Sequence, residues 1–180
     1  MEPCLNAGIT GSLPLPAQTG RARPFAAFGA ITLPDSLVSI GLVYLAAAIA
    51  LRSMTFGNPV VHIDEQFYLL VGDRMLHGAL PFVDIWDRKP LGLFLLFAAI
   101  RKLGGDGIVE YQIVASFFAA ATALVINQLA RRIAPPVGAF WAGIAYLLWL
   151  LVANCAGGQT PVFYNLIIAL TALTLSLIHI

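Results

Sequence analysis

The sequence predicts an all-α integral membrane protein, a multi-span helical bundle with one long external loop that carries amphipathic interfacial helices. Of its 180 residues, 59% are hydrophobic and only 11% are charged, and the mean hydropathy is +0.86. Soluble domains are usually only about half apolar. Several uncharged stretches approach the roughly 20 residues that a helix needs to span a bilayer. Charge gathers instead in residues 62–92, which hold eight Asp, Glu, Lys or Arg side chains.

The charge balance argues against a nucleic-acid partner. The formal net charge is +1, and no Lys/Arg run is long enough to form a phosphate-binding patch. Cys4 and Cys155 lie far apart and lack metal-ligand spacing, so they are expected to be unpaired thiols.

Residues 1–35 are predicted to form a flexible cytoplasmic tail. They are rich in Gly, Pro and Ala and show no sustained apolar period. The first strong apolar stretch begins only near Leu37, too late for a signal peptide, so the tail is expected to be retained. Arg21 and Arg23 precede that stretch, and the positive-inside rule places them in the cytoplasm.

Four membrane spans are predicted within residues 36–180. Between the first two lies Leu91–Ile100, whose ten apolar residues make only about 15 Å of helix and are expected to lie at the interface or to pack shallowly against the other helices. Arg131 and Arg132 then fall on the cytoplasmic side, as the positive-inside rule favours. The predicted spans are at about 36–54, 111–130, 137–156 and 161–180, and the external loop is at about 55–110.

The last six residues, LSLIHI at 175–180, match the translation of a widely used sequencing adapter and are expected to be an artefact, although ordinary apolar helix is the alternative. On this interpretation the chain is the N-terminal fragment of a longer protein, expected to be inactive alone.

The external loop is expected to contain a helix over Glu65–His77 that lies along the membrane surface. At 100° per residue, Phe67, Tyr68, Val71 and Met75 share one face, and Gln66, Asp73 and His77 share another. Gly78 and Pro81 end this helix, and Pro90 begins the short apolar helix that follows.

Two adjacent carboxylates, Asp64 and Glu65, begin the surface helix. They either cap it through its free N–H groups and dipole, or one of them acts as a general base at the membrane interface. Asp84 and Asp87 are either solvated loop charges or substrate ligands.

Arg88 and Lys89 stand just before a helix N-terminus, which is an unfavourable place for cations unless an anion binds there. A bound phosphate would resolve this conflict, because it would pair with the two cations and with the positive end of the helix dipole. His62 and His77 are more simply surface histidines than ligands. Tyr111 and Gln112, near the start of the second span, either face the site or pack in the bundle.

An Asp-Glu pair outside a first span, then a surface helix, then G-x-x-P-[FY]-x-D-x-W-D-x-K-P-x-G resembles the C-type membrane glycosyltransferases related to protein O-mannosyltransferases. That group includes bacterial aminoarabinose transferases and Rgt-type lipopolysaccharide sugar transferases. The specific matches are confined to the loop: Asp64-Glu65, Gly78, Pro81-Phe82, Asp84, Trp86-Asp87, Lys89-Pro90 and Gly92.

The resemblance implies inverting transfer of a sugar from a polyprenyl-phosphate donor to a lipid or glycan acceptor, at the external face of the bacterial inner membrane. Asp64, paired with Glu65, would deprotonate or orient the acceptor hydroxyl. Lys89 would hold the departing phosphate, with Arg88, Asp87 and Asp84 as further substrate contacts. No cofactor is implied with certainty, and a divalent metal ion is left open.

One departure from the family pattern removes support for a second acidic group or metal ligand at the site. Related enzymes often carry an acidic residue after the third span, where this chain has Gln159, Tyr164 and Asn165. Two other classes of function stay open. A transporter or permease fragment would carry charges within its spans, and a non-catalytic membrane scaffold would not need Asp64 or Lys89.

Overall fold

The computed structural model describes residues 36–178. The predicted tail at 1–35 lies outside this range, as do the last two residues of the suspected adapter segment. The described part is all-helical, as predicted, and contains no β-strand. Its helices are α1 Leu37–Arg52, α2 Ile63–Leu76, α3 Leu91–Arg101, α4 Ile108–Ala130, α5 Pro136–Val152 and α6 Thr160–Ile178, with a 3₁₀ turn, Ser53–Thr55, after α1.

Local sequence signals set several helix ends. The Ser36 hydroxyl accepts a 3.0 Å hydrogen bond from the Ser39 N–H and caps α1. Pro136 occupies the first turn of α5, where its missing N–H costs nothing. Gly78 follows α2 with φ +93°, a left-handed conformation that glycine adopts readily.

Within the described residues, three helical segments are long and apolar enough to cross a membrane: Leu37–Thr55, Ile108–Ala130 and Thr160–Ile178. They coincide with the first, second and fourth predicted spans. The third predicted span corresponds to α5, a shorter apolar helix of 17 residues, and α3 is an apolar helix of 11 residues. The number of crossings stays a prediction.

Helix α4 is the centre of the bundle, because α1, α5 and α6 all pack against it. Four of its nine buried residues are alanines, at 115, 119, 120 and 123, and they allow close helix approach. Helices α1 and α5 also meet closely. A Cβ on Gly143 would lie about 2.5 Å from the Tyr44 ring, whose hydroxyl donates to the Phe140 carbonyl at 2.9 Å.

Contacts between chain-distant residues show which helix ends meet. At one end, Arg132 after α4 donates to the Ser176 carbonyl of α6 at 2.8 Å. At the other end, Arg52 of α1 reaches the turn between α5 and α6. The α2–α3 pair sits at this second end, where Phe97 of α3 packs on Tyr111 in the first turn of α4. The charged segment therefore lies at one end of the bundle.

Helix α2 buries part of its predicted apolar face. Tyr68 and Val71 are buried, and Phe67 and Met75 are half-buried against the core. Gly72 lies on the same side, and a Cβ there would come within 2.7 Å of the α3 backbone at Phe97 and Ala98. The two helices thus pack nearly backbone to backbone.

Candidate functional site

The adjacent carboxylates of α2 have opposite environments. Asp64 is exposed, whereas Glu65 is 0% exposed. The N-cap residue His62 makes no side-chain capping bond, and neither carboxylate accepts a hydrogen bond from the first turn of α2. The capping alternative therefore has no hydrogen bond to support it in residues 36–178, although both charges lie at the favourable end of the helix dipole.

Glu65 is held in the interior by one short hydrogen bond. The Tyr111 hydroxyl donates to Glu65 Oε2 at 2.7 Å, while Oε1 has no hydrogen-bond partner among the described residues. Burial raises the pKa of Glu65 above its ordinary value, and the Tyr111 hydroxyl, His62, the Gly158 N–H and Arg52 offset part of that rise. Because the Glu65 carboxyl is fully buried, a structural role suits it better than the role of a base open to an acceptor.

Arg52, at the last turn of α1, is the buried cation of the same region. It is 3% exposed and donates to the carbonyls of Gly157 at 2.8 Å and Cys155 at 2.9 Å. Gly157 also faces Glu65, since a Cβ on it would collide with the Glu65 carboxylate. Arg52 and Glu65 therefore contact the same turn, and they form no ion pair with each other.

Gln112, the residue after Tyr111, extends the buried polar network. Its Oε1 accepts from the Gly57 N–H at 2.8 Å, and its Nε2 donates to the Asn58 carbonyl at 3.1 Å. The turn after α1 is thereby fixed to the first turn of α4. Tyr111 and Gln112 are both buried in the bundle, and neither lines a pocket at the site.

Four of the predicted site residues line one small pocket of about 240 Å³. They are Asp64 from α2 and the consecutive residues Asp87, Arg88 and Lys89. Three apolar or aromatic residues of α2 complete its lining: Ile63, Phe67 and Tyr68.

Two local contacts fix the cationic side of this pocket. The Asp87 side chain accepts from the Lys89 N–H at 2.9 Å, which closes the turn before α3. The Lys89 ammonium lies 5.8 Å from the centroid of the Tyr68 ring, within range of a cation–π interaction. Tyr68 is itself buried, and its hydroxyl lies 3.2 Å from the Thr160 hydroxyl at the start of α6.

A larger pocket of about 470 Å³ lies on the other side of Asp64. Asp64 is the one carboxylate that lines both pockets. The other walls come from the beginning of α2 and from the turn between α5 and α6: His62, Ile63, Ala153, Asn154, Cys155, Gln159 and Pro161. Arg52 and Glu65 hold that turn, so they shape this pocket without lining it.

Asp84 is placed apart from the other predicted site residues. It is exposed and lines neither pocket, and its Oδ2 accepts from the Leu80 N–H at 2.8 Å. Its contact is a brace within the loop between α2 and α3. Of the residues after the third predicted span, Gln159 lines the larger pocket, Tyr164 is exposed, and Asn165 donates to the Tyr146 hydroxyl at 3.3 Å.

No group of three or more His, Cys, Asp or Glu side chains in residues 36–178 is close enough together to hold a metal ion. His62 lines the larger pocket beside Asp64, and His77 is exposed with Nδ1 at 2.8 Å from the Asp73 carbonyl. Of the nitrogen ligands that sequence reasoning considered, only His62 lies at the site.

Sequence reasoning missed Arg52 and Gly157. Arg52 lies at the end of an apolar stretch, where an arginine is usually interpreted as an interfacial cation. Gly157 belongs to a pair of glycines, which is usually interpreted as a turn. One signal for Arg52 was available in the sequence. Burying an arginine so close to a membrane span is costly, so its side chain is expected to have specific partners.

No protein-family model, curated protein or solved structure matches the chain. The fold alone therefore defines the class: residues 36–178 are all-helical, and three of their helical segments are long and apolar enough to cross a membrane.

Proposed function

We propose that the protein is a membrane glycosyltransferase that moves a sugar, with inversion, from a polyprenyl-phosphate donor to a hydroxyl of an envelope acceptor. The acceptor class comprises lipid A or lipopolysaccharide, polysaccharide and protein. The site would face outward from the bacterial inner membrane. The observation that supports this best is the small pocket at the end of the bundle, where Asp64 shares a wall with Arg88 and Lys89.

The donor phosphate belongs at the cationic side of the small pocket. Lys89 and Arg88 would offset the charge that develops on the phosphate as the glycosidic bond breaks, which is the usual electrostatic contribution to such transfers. Tyr68 supports Lys89 through its ring face. A bound phosphate would also remove the conflict between these cations and the positive end of the α3 dipole.

Asp64 is the base in this proposal because it is exposed and lies between the two pockets. The acceptor would enter from the larger pocket and place its hydroxyl against the Asp64 carboxylate. The oxygen of the acceptor hydroxyl bonds to the anomeric carbon of the sugar as the bond between that carbon and the phosphate oxygen breaks. The proton passes to Asp64, and the lipid phosphate leaves with the bonding electrons toward Lys89.

Glu65 receives a different role from its neighbour. Its carboxyl is buried against Tyr111 and Gly157 and lines neither pocket, so it cannot reach an acceptor hydroxyl in this geometry. We assign it to positioning the turn that walls the larger pocket. Asp84 is likewise assigned to bracing its own loop.

The experiment is transfer of sugar from polyprenyl-phosphate sugars in membranes that contain the complete gene product. Lys89→Ala should lower the transfer rate by about 10²-fold or more, in the range seen when one charge-stabilising donor is removed. Lys102→Ala, an exposed lysine just after α3, is the matched control and should leave the rate unchanged. Equal rates in the two variants would remove the phosphate role from Lys89, and no transfer by the wild type would remove the proposed activity.

A further inference from the structure

The loop between α2 and α3 exposes a cluster of large apolar side chains that the proposed chemistry does not use. Within the seven residues Leu80–Trp86, called the apolar loop below, Val83 and Trp86 are each 76% exposed. Leu80 and Phe82 are also exposed. Single exposed apolar residues need no explanation, but a contiguous set marks an interaction surface.

Hydrogen bonds within the apolar loop hold it in a defined conformation. The Asp84 N–H donates to the Leu80 carbonyl at 2.9 Å, and the Asp84 side chain accepts from the Leu80 N–H. The Phe82 N–H donates to the Ile85 carbonyl at 2.7 Å, and Ile85 packs against the hydrophobic core. The four apolar side chains therefore project from a braced turn.

Phe82 adds an independent sign of function. Its φ is +68°, a left-handed conformation that is rare for a bulky side chain. Such strain persists only where the surrounding contacts impose it, and it gathers at functional sites. Here the Phe82 ring lies with its centroid 6.0 Å from that of the Phe94 ring, and Val83 is left exposed.

The surroundings of the apolar loop fit one occupant, the headgroup region of a bilayer. The apolar surface continues onto α3, where Leu91 and Leu95 lie one turn apart and are 46% and 53% exposed. Helix α3 packs against the first turn of α4, so the loop lies at the level where a membrane-crossing helix would meet the interface. Tryptophan is enriched at that level, and the exposed Arg88 complements anionic headgroups.

We infer that the apolar loop inserts into the headgroup region of the leaflet beside α3, with Trp86 as its anchor. Lys89 follows Trp86 by three residues, so insertion would hold the small pocket at the depth of lipid phosphates. The inference does not depend on sugar transfer, and its test uses no activity.

The test measures Trp86 fluorescence in the chain that carries Trp141→Phe and Trp149→Phe, which leaves one tryptophan. The protein is placed in phosphatidylcholine–phosphatidylglycerol nanodiscs whose acyl chains are brominated near either the headgroup or the tail end. Trp86 emission should be blue-shifted and should lose more intensity with headgroup-end bromine than with tail-end bromine. Aqueous iodide should quench it weakly.

Val83→Asp in the same single-tryptophan chain should reduce quenching by headgroup-end bromine and raise quenching by iodide, because it replaces an exposed apolar side chain of the loop with a second carboxylate beside Asp84. Ile133→Asp, an equal exchange of an exposed apolar side chain at the opposite end of the bundle, is the matched control and should leave both values unchanged. Strong iodide quenching without any effect of bromine would place the loop in water and overturn the inference. Blue-shifted emission insensitive to both quenchers would mean that protein covers the loop, which overturns it equally.

Discussion

The Tyr111 hydroxyl donates a 2.7 Å hydrogen bond to Glu65 Oε2, and both side chains are fully buried although 46 positions separate them. This contact turns Glu65 into the bundle and leaves Asp64, one residue earlier, in the open between two pockets. A helix separates consecutive residues by about 100°, so one member of the pair can be structural while the other faces substrate.

Glu65→Gln should remove a pH dependence from stability. Burial raises the pKa of Glu65 above its ordinary value of 4.5, so the folded state favours the protonated acid. Its stabilising contribution is fully present below the unfolded pKa and is lost as the pH rises through the raised folded pKa. Thermal unfolding in nanodiscs should show wild-type stability falling from about pH 4.5 upward, relative to Glu65→Gln. Parallel pH profiles for the two proteins would contradict the assignment.

Arg52→Met should loosen the turn between α5 and α6. The substitution leaves the Gly157 and Cys155 carbonyls without their donors, and hydrogen bonds to a charged group contribute about 1.5–3 kcal/mol each. Cys155, which is 7% exposed, serves as the reporter in a chain that carries Cys4→Ser. Its maleimide labelling should accelerate by at least roughly tenfold to a hundredfold, the factor that corresponds to the loss of one of the two bonds.

Arg131→Met is the control for this measurement. Arg131 is an exposed arginine at the opposite end of the bundle, and its substitution should leave the Cys155 labelling rate at the wild-type value. Equal labelling of Cys155 in the Arg52 and Arg131 variants would show that Arg52 does not hold the turn.

Gly157→Ala should destabilise the fold by about 1–3 kcal/mol, the usual cost of overpacking. Its new Cβ would collide with the Glu65 carboxylate. Gly92→Ala, in the first turn of α3 with open space around it, should be neutral or slightly stabilising. Adding Glu65→Ala to Gly157→Ala should recover part of the loss, with a coupling of roughly 0.5–3 kcal/mol in chemical unfolding. Additive effects would place the two residues out of contact.

The helices were predictable because the signals that define them are local: the length of each apolar stretch and the Pro or Gly residues at its ends. The all-helical prediction is confirmed, and Gly78 and Pro90 stand at the helix boundaries expected of them. Asp87, Arg88 and Lys89 are consecutive, so their shared location also followed from the sequence. Their approach to Asp64 was anticipated only through the family resemblance.

The division of labour between Asp64 and Glu65 was not predictable, because Glu65 is buried by Tyr111 and Gly157, which are distant in sequence. The role of Asp84 was not predictable for a different reason, although its contact is local in sequence. A loop carboxylate that braces a backbone N–H four residues earlier has the same sequence pattern as a solvated charge or a ligand.

The most direct test compares Asp64→Asn with Asp84→Asn for sugar transfer in membranes that contain the complete gene product. Both changes replace an exposed carboxylate of the same segment, but only Asp64 lines the two pockets. Asp64→Asn should lower the transfer rate about 10²- to 10⁴-fold, as loss of a general base does, at unchanged protein level. Asp84→Asn should keep most of the activity. Full transfer by Asp64→Asn, or an equal loss in both variants, would contradict the assignment of Asp64 as the base.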